Sequence, residues 1–250
     1  MAIMACMSNG RSSPVNVIRA EVRDDFLFTF RGREAIGIRV LDPGVDAAHL
    51  HDWFNRDYAR FWGMQHKSLE EVRTRLIKML QRSDRELLMG VRLSTGERLF
   101  MLECYRPESD ALGRYYAVQP ADRGFHLIVA PPRHERVPDL TYFVMLALSG
   151  YLFRDPAVRR IVAEPDIRNH KMLVRCAQAG YELGKALYLP HKTARLISLT
   201  RERFAQLDCA RAPPKPQLPP RAPLVSLHMT MGKLATLLVR VGGKLRLIKR

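Results

Sequence analysis

The chain has 250 residues, of which 47% are hydrophobic, and this is enough for one large domain with a sizeable core. No apolar run approaches the roughly 20 residues that a membrane-spanning helix needs. The first ten residues lack the charged start and long apolar core of a secretory signal, so we do not expect one. The net charge of +16 suits anionic partners, either a phosphate-bearing cofactor or nucleic acid.

The positive charge is concentrated at the C-terminal end. Residues 210–250 contain nine Lys and Arg residues and no Asp or Glu, so the rest of the chain is only mildly basic. Composition therefore divides the chain into an N-terminal extension (1–24), a folded domain (25–208), a Pro-rich linker (209–223) and a basic tail (224–250), in which apolar residues alternate with Lys and Arg as in an amphipathic helix. A tail of this kind leaves open a second class of function, a module that binds polyanions or an anionic membrane surface.

The cysteines are widely spaced and form no C-x-x-C pair. This predicts free thiols in a cytoplasmic protein, not a disulfide framework. The histidines likewise have no metal-ligand spacing, and we predict no metal site. The four cysteines are Cys6, Cys104, Cys176 and Cys209.

The first half of the chain predicts strands at 26–30 and 36–41, followed by a turn at 42–44. Asp46 is predicted to cap a helix that continues to Tyr58. Ser68 and Glu71 have the spacing of a capping box that opens a second helix. A β-hairpin with strands at 86–93 and 98–105 follows.

The second half predicts a strand at 125–130, an apolar helix at 140–153, a strand at 158–163 and a helix at 169–179 that ends at Gly180. Strands at 181–189 and 193–199 close the domain. This order of elements predicts an α/β (α+β) fold with a mixed sheet and helices on its faces. Because a helix-sized segment separates the strands at 125–130 and 158–163, we expect these two strands to be parallel.

Each of these two strands is associated with a group that can carry a proton. His126 lies within the first strand, and Asp166 follows the end of the second. We interpret this unit as an acyl-transfer site with a thioester cofactor between the strands. The residues alone also allow a structural role, because a single strand histidine is often a core residue and an Asp before a helix is often its cap.

Several sequence blocks carry a more specific signal. They are His-Asp-Trp-Phe-Asn at 51–55, Tyr-Ala-Arg-Phe-Trp-Gly-Met at 58–64, Gly-Phe-His-Leu-Ile at 124–128, Arg-Ile-Val-Ala-Glu-Pro-Asp-Ile-Arg-Asn at 160–169, Gln-Ala-Gly-Tyr-Glu at 178–182 and Leu-Pro-His-Lys-Thr-Ala at 189–194. In this order they resemble the siderophore-biosynthesis hydroxylamine acyltransferases of the GNAT superfamily, and most of all the alcaligin-type biosynthesis acyltransferases. The resemblance covers roughly residues 30–205.

The resemblance implies a GNAT-type mixed, mostly antiparallel central sheet, flanked by helices and splayed at its two central parallel strands. It implies transfer of an acyl group from acyl-CoA to a hydroxylated nitrogen, giving a hydroxamate without an acyl-enzyme intermediate. The alcaligin-type reaction uses N-hydroxyputrescine and succinyl-CoA in iron acquisition. Acetyl-CoA-dependent acetylation of N-hydroxylysine or of a plain amine is the alternative enzyme activity.

The resemblance also implies roles for particular residues. His126 is the expected general base, since the pKa of a histidine lies near the working pH. Asp166 is expected either to orient and charge-stabilise His126 or to bind the hydroxylamine. Trp53, Trp62 and Glu164 are the expected acceptor-binding residues. The two tryptophans belong to an aromatic set with Phe54 and Phe61, and at helical spacing such residues are equally expected in the core.

The loop after the first of the two strands departs from the GNAT pattern. Members of the superfamily usually carry Arg/Gln-x-x-Gly-x-Gly/Ala there, and the loop amides hold the pyrophosphate. Here the loop at 133–139 contains no glycine, so arginine charge and the following helix N-terminus are expected to hold the cofactor instead. A solvated arginine loop is the alternative. The candidate cofactor-binding residues are Arg133, His134, Arg136, Leu140, Thr141 and Asn169.

Overall fold

The computed structural model of the chain describes residues 26–132, 137–209 and 211–215. The predicted N-terminal extension, the basic tail and most of the Pro-rich linker lie outside these residues. The strands are β1 (Phe28–Arg31), β2 (Ala35–Val40), β3 (Arg85–Arg92), β4 (Arg98–Tyr105), β5 (Asp122–Val129), β6 (Arg160–Ala163), β7 (Glu182–Tyr188) and β8 (Thr193–Thr200). The α-helices are α1 (Pro43–Phe54), α2 (Leu69–Leu80), α3 (Leu140–Leu152), α4 (His170–Gln178) and α5 (Arg201–Ala205), and 3₁₀ helices span Asp57–Trp62, Pro107–Ser109 and Ala111–Arg114.

The strands form one sheet in the order β1-β2-β3-β4-β5-β6-β8-β7. Neighbouring strands within the described residues are antiparallel except β5 and β6, which are parallel. Pairing of β5 with β6 stops at Gly124 and Val162, although β5 continues to Val129. The two strands therefore separate from Phe125 onward. This confirms the predicted fold, a mixed and mostly antiparallel sheet that is splayed at its parallel pair.

Both faces of the sheet are covered by helices. Alternation along β3 sends Leu88 into a core shared with α3, and sends Leu87 and Met89 into a core shared with α1 and α2. Almost the whole of α3 is buried, which agrees with its unbroken apolar sequence. His126 is two residues from Ile128 on β5, so its side chain lies on the face that α1 and α2 cover.

The start of α1 differs from the prediction. Asp42 is the N-cap and accepts a hydrogen bond from the Gly44 amide at 2.7 Å, so the predicted turn is the beginning of the helix. Pro43 suits the first helical turn because it has no amide hydrogen to leave unsatisfied. Asp46, predicted to be the cap, lies inside α1 with its carboxylate fully buried. Arg39 and Arg98 neutralise it, at 2.8 Å and 2.7 Å.

Several local predictions are confirmed. The Ser68 hydroxyl accepts from the Glu71 amide at 3.2 Å, and the Glu71 carboxylate accepts from the Ser68 amide at 2.8 Å, which is the predicted capping box. Gly180 follows α4 with a φ of +86°, a conformation that favours glycine. None of the helices in the described segments has the length and apolar character that a membrane crossing requires.

Candidate active site

His126 lies directly opposite Glu103 of β4 in the antiparallel register. The two side chains therefore share one face of the sheet, and the Nδ1 atom of His126 is 3.1 Å from Oε2 of Glu103. Glu103 is only 3% exposed. Its other oxygen, Oε1, accepts a hydrogen bond from Arg85 at the start of β3.

The second ring nitrogen of His126 meets another carboxylate. Glu164 follows the end of β6, and its Oε1 is 3.3 Å from Nε2 of His126. Lys192, in the turn between β7 and β8, donates from Nζ to the same oxygen at 3.1 Å and to the Glu164 carbonyl at 2.9 Å. The result is a line of alternating charges from Arg85 through Glu103, His126 and Glu164 to Lys192.

These contacts set the charge of the imidazole. Burial alone lowers the pKa of a histidine, but the hydrogen bonds and charges of Glu103 and Glu164 outweigh it and raise the pKa of His126 to about 10. The same pairing acts on the carboxylates. Burial alone raises the pKa of Glu164, whereas His126 and Lys192 lower it to about 2. The resting site therefore holds an imidazolium between two carboxylates.

Aromatic side chains enclose the ring of His126. The Tyr105 ring lies 4.8 Å from it, measured between centroids, and the Tyr105 hydroxyl donates to Oε2 of Glu164 at 3.3 Å. Trp62 approaches edge-on at 6.1 Å. Gly124 makes room for Tyr105, because a Cβ at that position would lie 2.2 Å from the Tyr105 ring.

A groove of about 1640 Å³ runs along the gap between β5 and β6. Its lining includes His126, Glu164, Asp166, Asn169, Trp62 and Thr141. The groove forms because the separated strands leave one edge of β5 without a strand neighbour. The sequence predicted a thioester cofactor at this place, between the two strands.

The open edge of β5 presents backbone groups to this groove. The Ala130 amide donates to the Leu99 carbonyl of β4. Backbone groups in an antiparallel strand point alternately to one side and the other, so those of Leu127 and Val129 point away from β4 and into the gap. Two side chains reach their carbonyl oxygens: Trp62 Nε1 donates to Leu127 at 3.2 Å, and the Tyr58 hydroxyl donates to Val129 at 2.9 Å. The amides of Leu127 and Val129 face the same gap.

Asp166 lines the groove, but its carboxylate is engaged by Arg168, at 2.9 Å from Nε and 2.7 Å from a terminal nitrogen. Burial alone raises the pKa of Asp166, and the Arg168 hydrogen bonds lower it below its usual value. The sequence suggested that Asp166 orients His126, but the carboxylates that contact the two ring nitrogens are those of Glu103 and Glu164.

The two candidate tryptophans lie in different environments. Trp62 lines the groove beside His126, as expected. Trp53 is 1% exposed in the core between α1, α2 and the sheet, and it is not among the residues that line the groove. We expected Trp53 to contact the acceptor, but the structure places its side chain in the core and not along the groove. Of the other two aromatic residues, Phe61 lines the groove and Phe54 is buried in the core.

The predicted cofactor residues are placed in part. Leu140 and Thr141 form the first turn of α3 and line the groove, and Asn169 caps α4 by accepting from the Met172 amide at 3.3 Å. Asp139, at the N-cap of α3, has a φ of +61° and binds Arg175 at 2.9 Å. Arg133, His134 and Arg136 lie outside the described residues.

Sequence reasoning missed four members of the site, which are Arg85, Glu103, Tyr105 and Lys192. Lys192 and Tyr105 approach Glu164 from distant parts of the chain. Lys192 lies in the sequence block at 189–194, but nothing in that block pairs it with Glu164, and no local pattern marks Tyr105. Glu103 did have a signal, because it is the one acidic residue in the otherwise apolar strand Leu-Phe-Met-Leu-Glu-Cys-Tyr. A buried carboxylate in such a strand needs a partner, and this requirement points to a site.

Residues 42–189, more than half of the chain, match the family model of the acetyltransferase (GNAT) domain. The chain belongs to the GNAT acetyltransferase family. The fold is similar to that of a solved structure, the aminoglycoside acetyltransferase AAC(6')-Ib in complex with paromomycin and acetyl-CoA. The two chains align with a TM-score of 0.59 and 22% sequence identity, over 68% of this chain and 95% of that one.

Two curated relatives of this GNAT chain act on hydroxylated amino acids, according to their names. An N(6)-hydroxylysine O-acetyltransferase of Escherichia coli is 28% identical over 70% of this chain and 55% of its own length. An N(5)-hydroxyornithine:cis-anhydromevalonyl coenzyme A-N(5)-transacylase of Beauveria bassiana is 31% identical over 65% of this chain and 36% of its own length. The chain thus spans about half or less of the relatives that it matches.

Proposed function

We propose that this chain is an acyl-CoA-dependent N-acyltransferase that converts an N-hydroxylated amine to a hydroxamate in siderophore biosynthesis. The observation that carries the proposal is the position of His126, a proton-carrying group held by two carboxylates at the edge of the groove between β5 and β6. The names of the two relatives support a hydroxylated amino group as acceptor.

The groove suits acyl-CoA as the co-substrate. The open edge of β5 offers the Leu127 and Val129 amides to the amide groups of a pantetheine arm. At the far end, the first turn of α3, which contains Leu140 and Thr141, offers the positive end of the helix dipole to the pyrophosphate. The fold relative in complex with acetyl-CoA supports the same class of co-substrate.

The reaction requires little activation of its nucleophile. A hydroxylamine nitrogen is a weak base and is uncharged at neutral pH, so alignment with the thioester carbonyl is the main task. The nitrogen–carbon bond forms as the π bond of the thioester carbonyl breaks, which gives a tetrahedral intermediate. The carbonyl then re-forms as the carbon–sulfur bond breaks. The proton lost by nitrogen ends on the sulfur of CoA, and a protein group has to carry it.

His126 is the proposed carrier and accepts this proton in its neutral form. With a pKa of about 10, about one His126 in a thousand is neutral at pH 7. General base catalysis raises the rate about 10²–10⁴-fold. Because so few His126 side chains are neutral at neutral pH, much of this rate increase is lost there. Turnover is therefore expected to rise steeply with pH. Asp166 and Trp62, both on the groove, are the proposed acceptor-binding residues.

For the individual substrates we propose succinyl-CoA as donor and N-hydroxyputrescine as acceptor, on the strength of the sequence blocks that resemble the alcaligin-type enzymes. The test is to incubate the full chain with succinyl-CoA or acetyl-CoA and with N-hydroxyputrescine, putrescine or N-hydroxylysine, and to identify products by mass spectrometry. A succinylated hydroxamate as the main product supports the proposal. Preferential acetylation of N-hydroxylysine contradicts the proposed substrates, and acylation of putrescine at an equal rate contradicts the hydroxylamine specificity.

A further inference from the structure

Glu103 is buried where a carboxylate needs compensation. It lies between Leu102 and Cys104 in the interior strand β4 and is 3% exposed. A charged carboxylate in such a position is costly unless both of its oxygens are paired. Arg85 takes one oxygen and Nδ1 of His126 takes the other.

Glu103 is also held from behind. Arg85 is 10% exposed and is itself bound by Asp84 at 3.1 Å, with Asp110 at 4.0 Å. Glu103 is in register with Leu87 of β3 and with His126 of β5, so the sheet fixes its backbone on both sides. The carboxylate therefore has a single position, directed at Nδ1.

The two sides of the imidazole differ in their access to the groove. Glu164, at Nε2, lines the groove, whereas Glu103, at Nδ1, is not among the lining residues. The Nε2 contact is also longer, 3.3 Å against 3.1 Å, and Tyr105 and Lys192 share the Glu164 carboxylate. Nδ1 therefore faces a closed protein partner, and Nε2 faces the side from which a substrate arrives.

We infer that Glu103 is a positioning residue: it retains the Nδ1 proton of His126, so that Nε2 is the nitrogen that exchanges a proton with the acceptor. A carboxylate on one ring nitrogen determines which nitrogen of a neutral histidine stays protonated and holds the ring in place. The inference rests on the proposed function for its catalytic meaning. The tautomer itself is a property of the protein without substrate.

The charged and polar neighbours of the ring come from every element packed against it. They are Glu103 and Tyr105 on β4, Glu164 after β6, and Trp62 in the 3₁₀ helix, with Arg85 and Lys192 behind the two carboxylates. Replacement of Glu103 by Gln removes one negative charge and leaves Glu164 and both outer cations in place. The amide oxygen of Gln can still accept from Nδ1, so the ring keeps its position.

The test uses the full chain with ¹⁵N-labelled histidine, titrated by NMR. The chain has eight histidines, and the spectrum of His126→Gln assigns the signal of His126. We expect neutral His126 to carry its proton on Nδ1, and we expect Glu103→Gln to lower its titration midpoint by at least about one unit. Glu103→Leu leaves the Glu164 carboxylate at Nε2, so this substitution is expected to move the proton of the neutral ring from Nδ1 toward Nε2.

The matched control is Glu86→Gln. Glu86 pairs with Cys104 across the same hairpin, so it lies on the opposite face, and its carboxylate accepts from the Tyr151 hydroxyl at 2.9 Å. This control is expected to leave the His126 titration unchanged. An Nε2-protonated neutral ring in the wild type, or an unchanged midpoint in Glu103→Gln, overturns the inference.

Kinetics separate a positioning role from a structural one. In Glu103→Gln the midpoint of the kcat profile is expected to move down with the NMR midpoint, while the KM for acyl-CoA stays within about twofold and the plateau kcat falls about tenfold or less. In Glu103→Leu, if it folds, the plateau falls about 100-fold. A correct tautomer in a protein that forms no hydroxamate refutes the proposed function, whereas a wrong tautomer in an active enzyme refutes only the role of Glu103.

Discussion

Oε1 of Glu164 lies 3.3 Å from Nε2 of His126, at the point where the parallel strands β5 and β6 separate. Gly124 and Val162 are the last residues of the parallel pairing, and each strand then places one of these side chains beside the gap. The β5–β6 pairing ends early, and this has two consequences. It opens the groove between the strands, and it places His126 and Glu164 together at the edge of that groove.

The rate of acyl transfer should rise with pH. Because His126 acts as a base only in its neutral form and its pKa is about 10, kcat/KM should increase about tenfold per pH unit between pH 7 and 9 and level off above about 10. An N-hydroxyalkylamine without a second amino group is the control acceptor, since it has no ammonium group that titrates near this range. A rate that is constant to pH 9 and then falls would show that the imidazolium is the working form.

The pKa shifts of His126 and Glu164 predict how the free energy of unfolding changes with pH. The folded-state pKa of His126 is raised to about 10, so its contribution is complete below about 6.5 and is lost as the pH rises through about 10. Glu164 behaves oppositely: its pKa is lowered to about 2, so its contribution is present above about 4.5 and is lost as the pH falls through about 2.

Urea unfolding of the wild type and of His126→Gln at pH 6 and pH 9.5 measures the histidine contribution. The difference in unfolding free energy between the two proteins should be larger at pH 6. Replacement of the exposed His191 by Gln is the control for the loss of a histidine at the surface. If the unfolding free energies of the wild type and His126→Gln differ by the same amount at both pH values, the assigned charge state of His126 is contradicted.

The two tryptophans should separate stability from binding. Trp53→Ala removes a core side chain that is 1% exposed, and it should lower the unfolding free energy by about 3–5 kcal/mol without changing the KM of the acceptor. Trp62→Ala removes a groove side chain and the donor to Leu127, and it should raise that KM severalfold. The assignment is refuted if Trp53→Ala, measured at a temperature where it is folded, raises the acceptor KM as much as Trp62→Ala does.

Asn169 has two proposed duties that two substitutions can distinguish. Its Oδ1 accepts from the Met172 amide as the cap of α4, and its amide group is available to the pantetheine arm. Asn169→Asp keeps the cap and should leave stability intact, yet it should raise the KM for acyl-CoA because the donor is lost. Asn169→Ala should raise the same KM and also cost about 1 kcal/mol of stability. An unchanged KM in Asn169→Asp removes Asn169 from the cofactor site.

Local sequence patterns predicted the elements and much of their arrangement. The capping box at Ser68, the hairpin of β3 and β4, and the parallel pairing of β5 with β6 all follow from short-range spacing or from one intervening helix. Asp42 and Asp46 show where such reasoning fails. Both are acceptable helix caps by residue type, and only the buried contacts with Arg39 and Arg98 place Asp46 within the helix.

The site could be predicted only in part, because its partners come together through the register of the sheet. His126 lies on one of the two strands that the sequence singled out, and Glu164 directly follows the other. Glu103 became a partner of His126 only through the pairing of β4 with β5, which no local pattern specifies. Trp53 and Trp62 are separated by the end of α1, so helical spacing could not assign one to the core and the other to the groove.

The most direct test of the central claim measures hydroxamate formation and CoA release together, for the wild type and for His126→Gln, with succinyl-CoA and N-hydroxyputrescine. Hydroxamate is measured as its iron(III) complex, and circular dichroism confirms that both proteins are folded. We predict one hydroxamate per CoA released by the wild type and, at about pH 10, where much of His126 is neutral, a kcat at least about 100-fold lower for the variant. CoA release without hydroxamate, or a variant within about twofold of the wild type, contradicts the assignment of this groove and of His126 to acyl transfer.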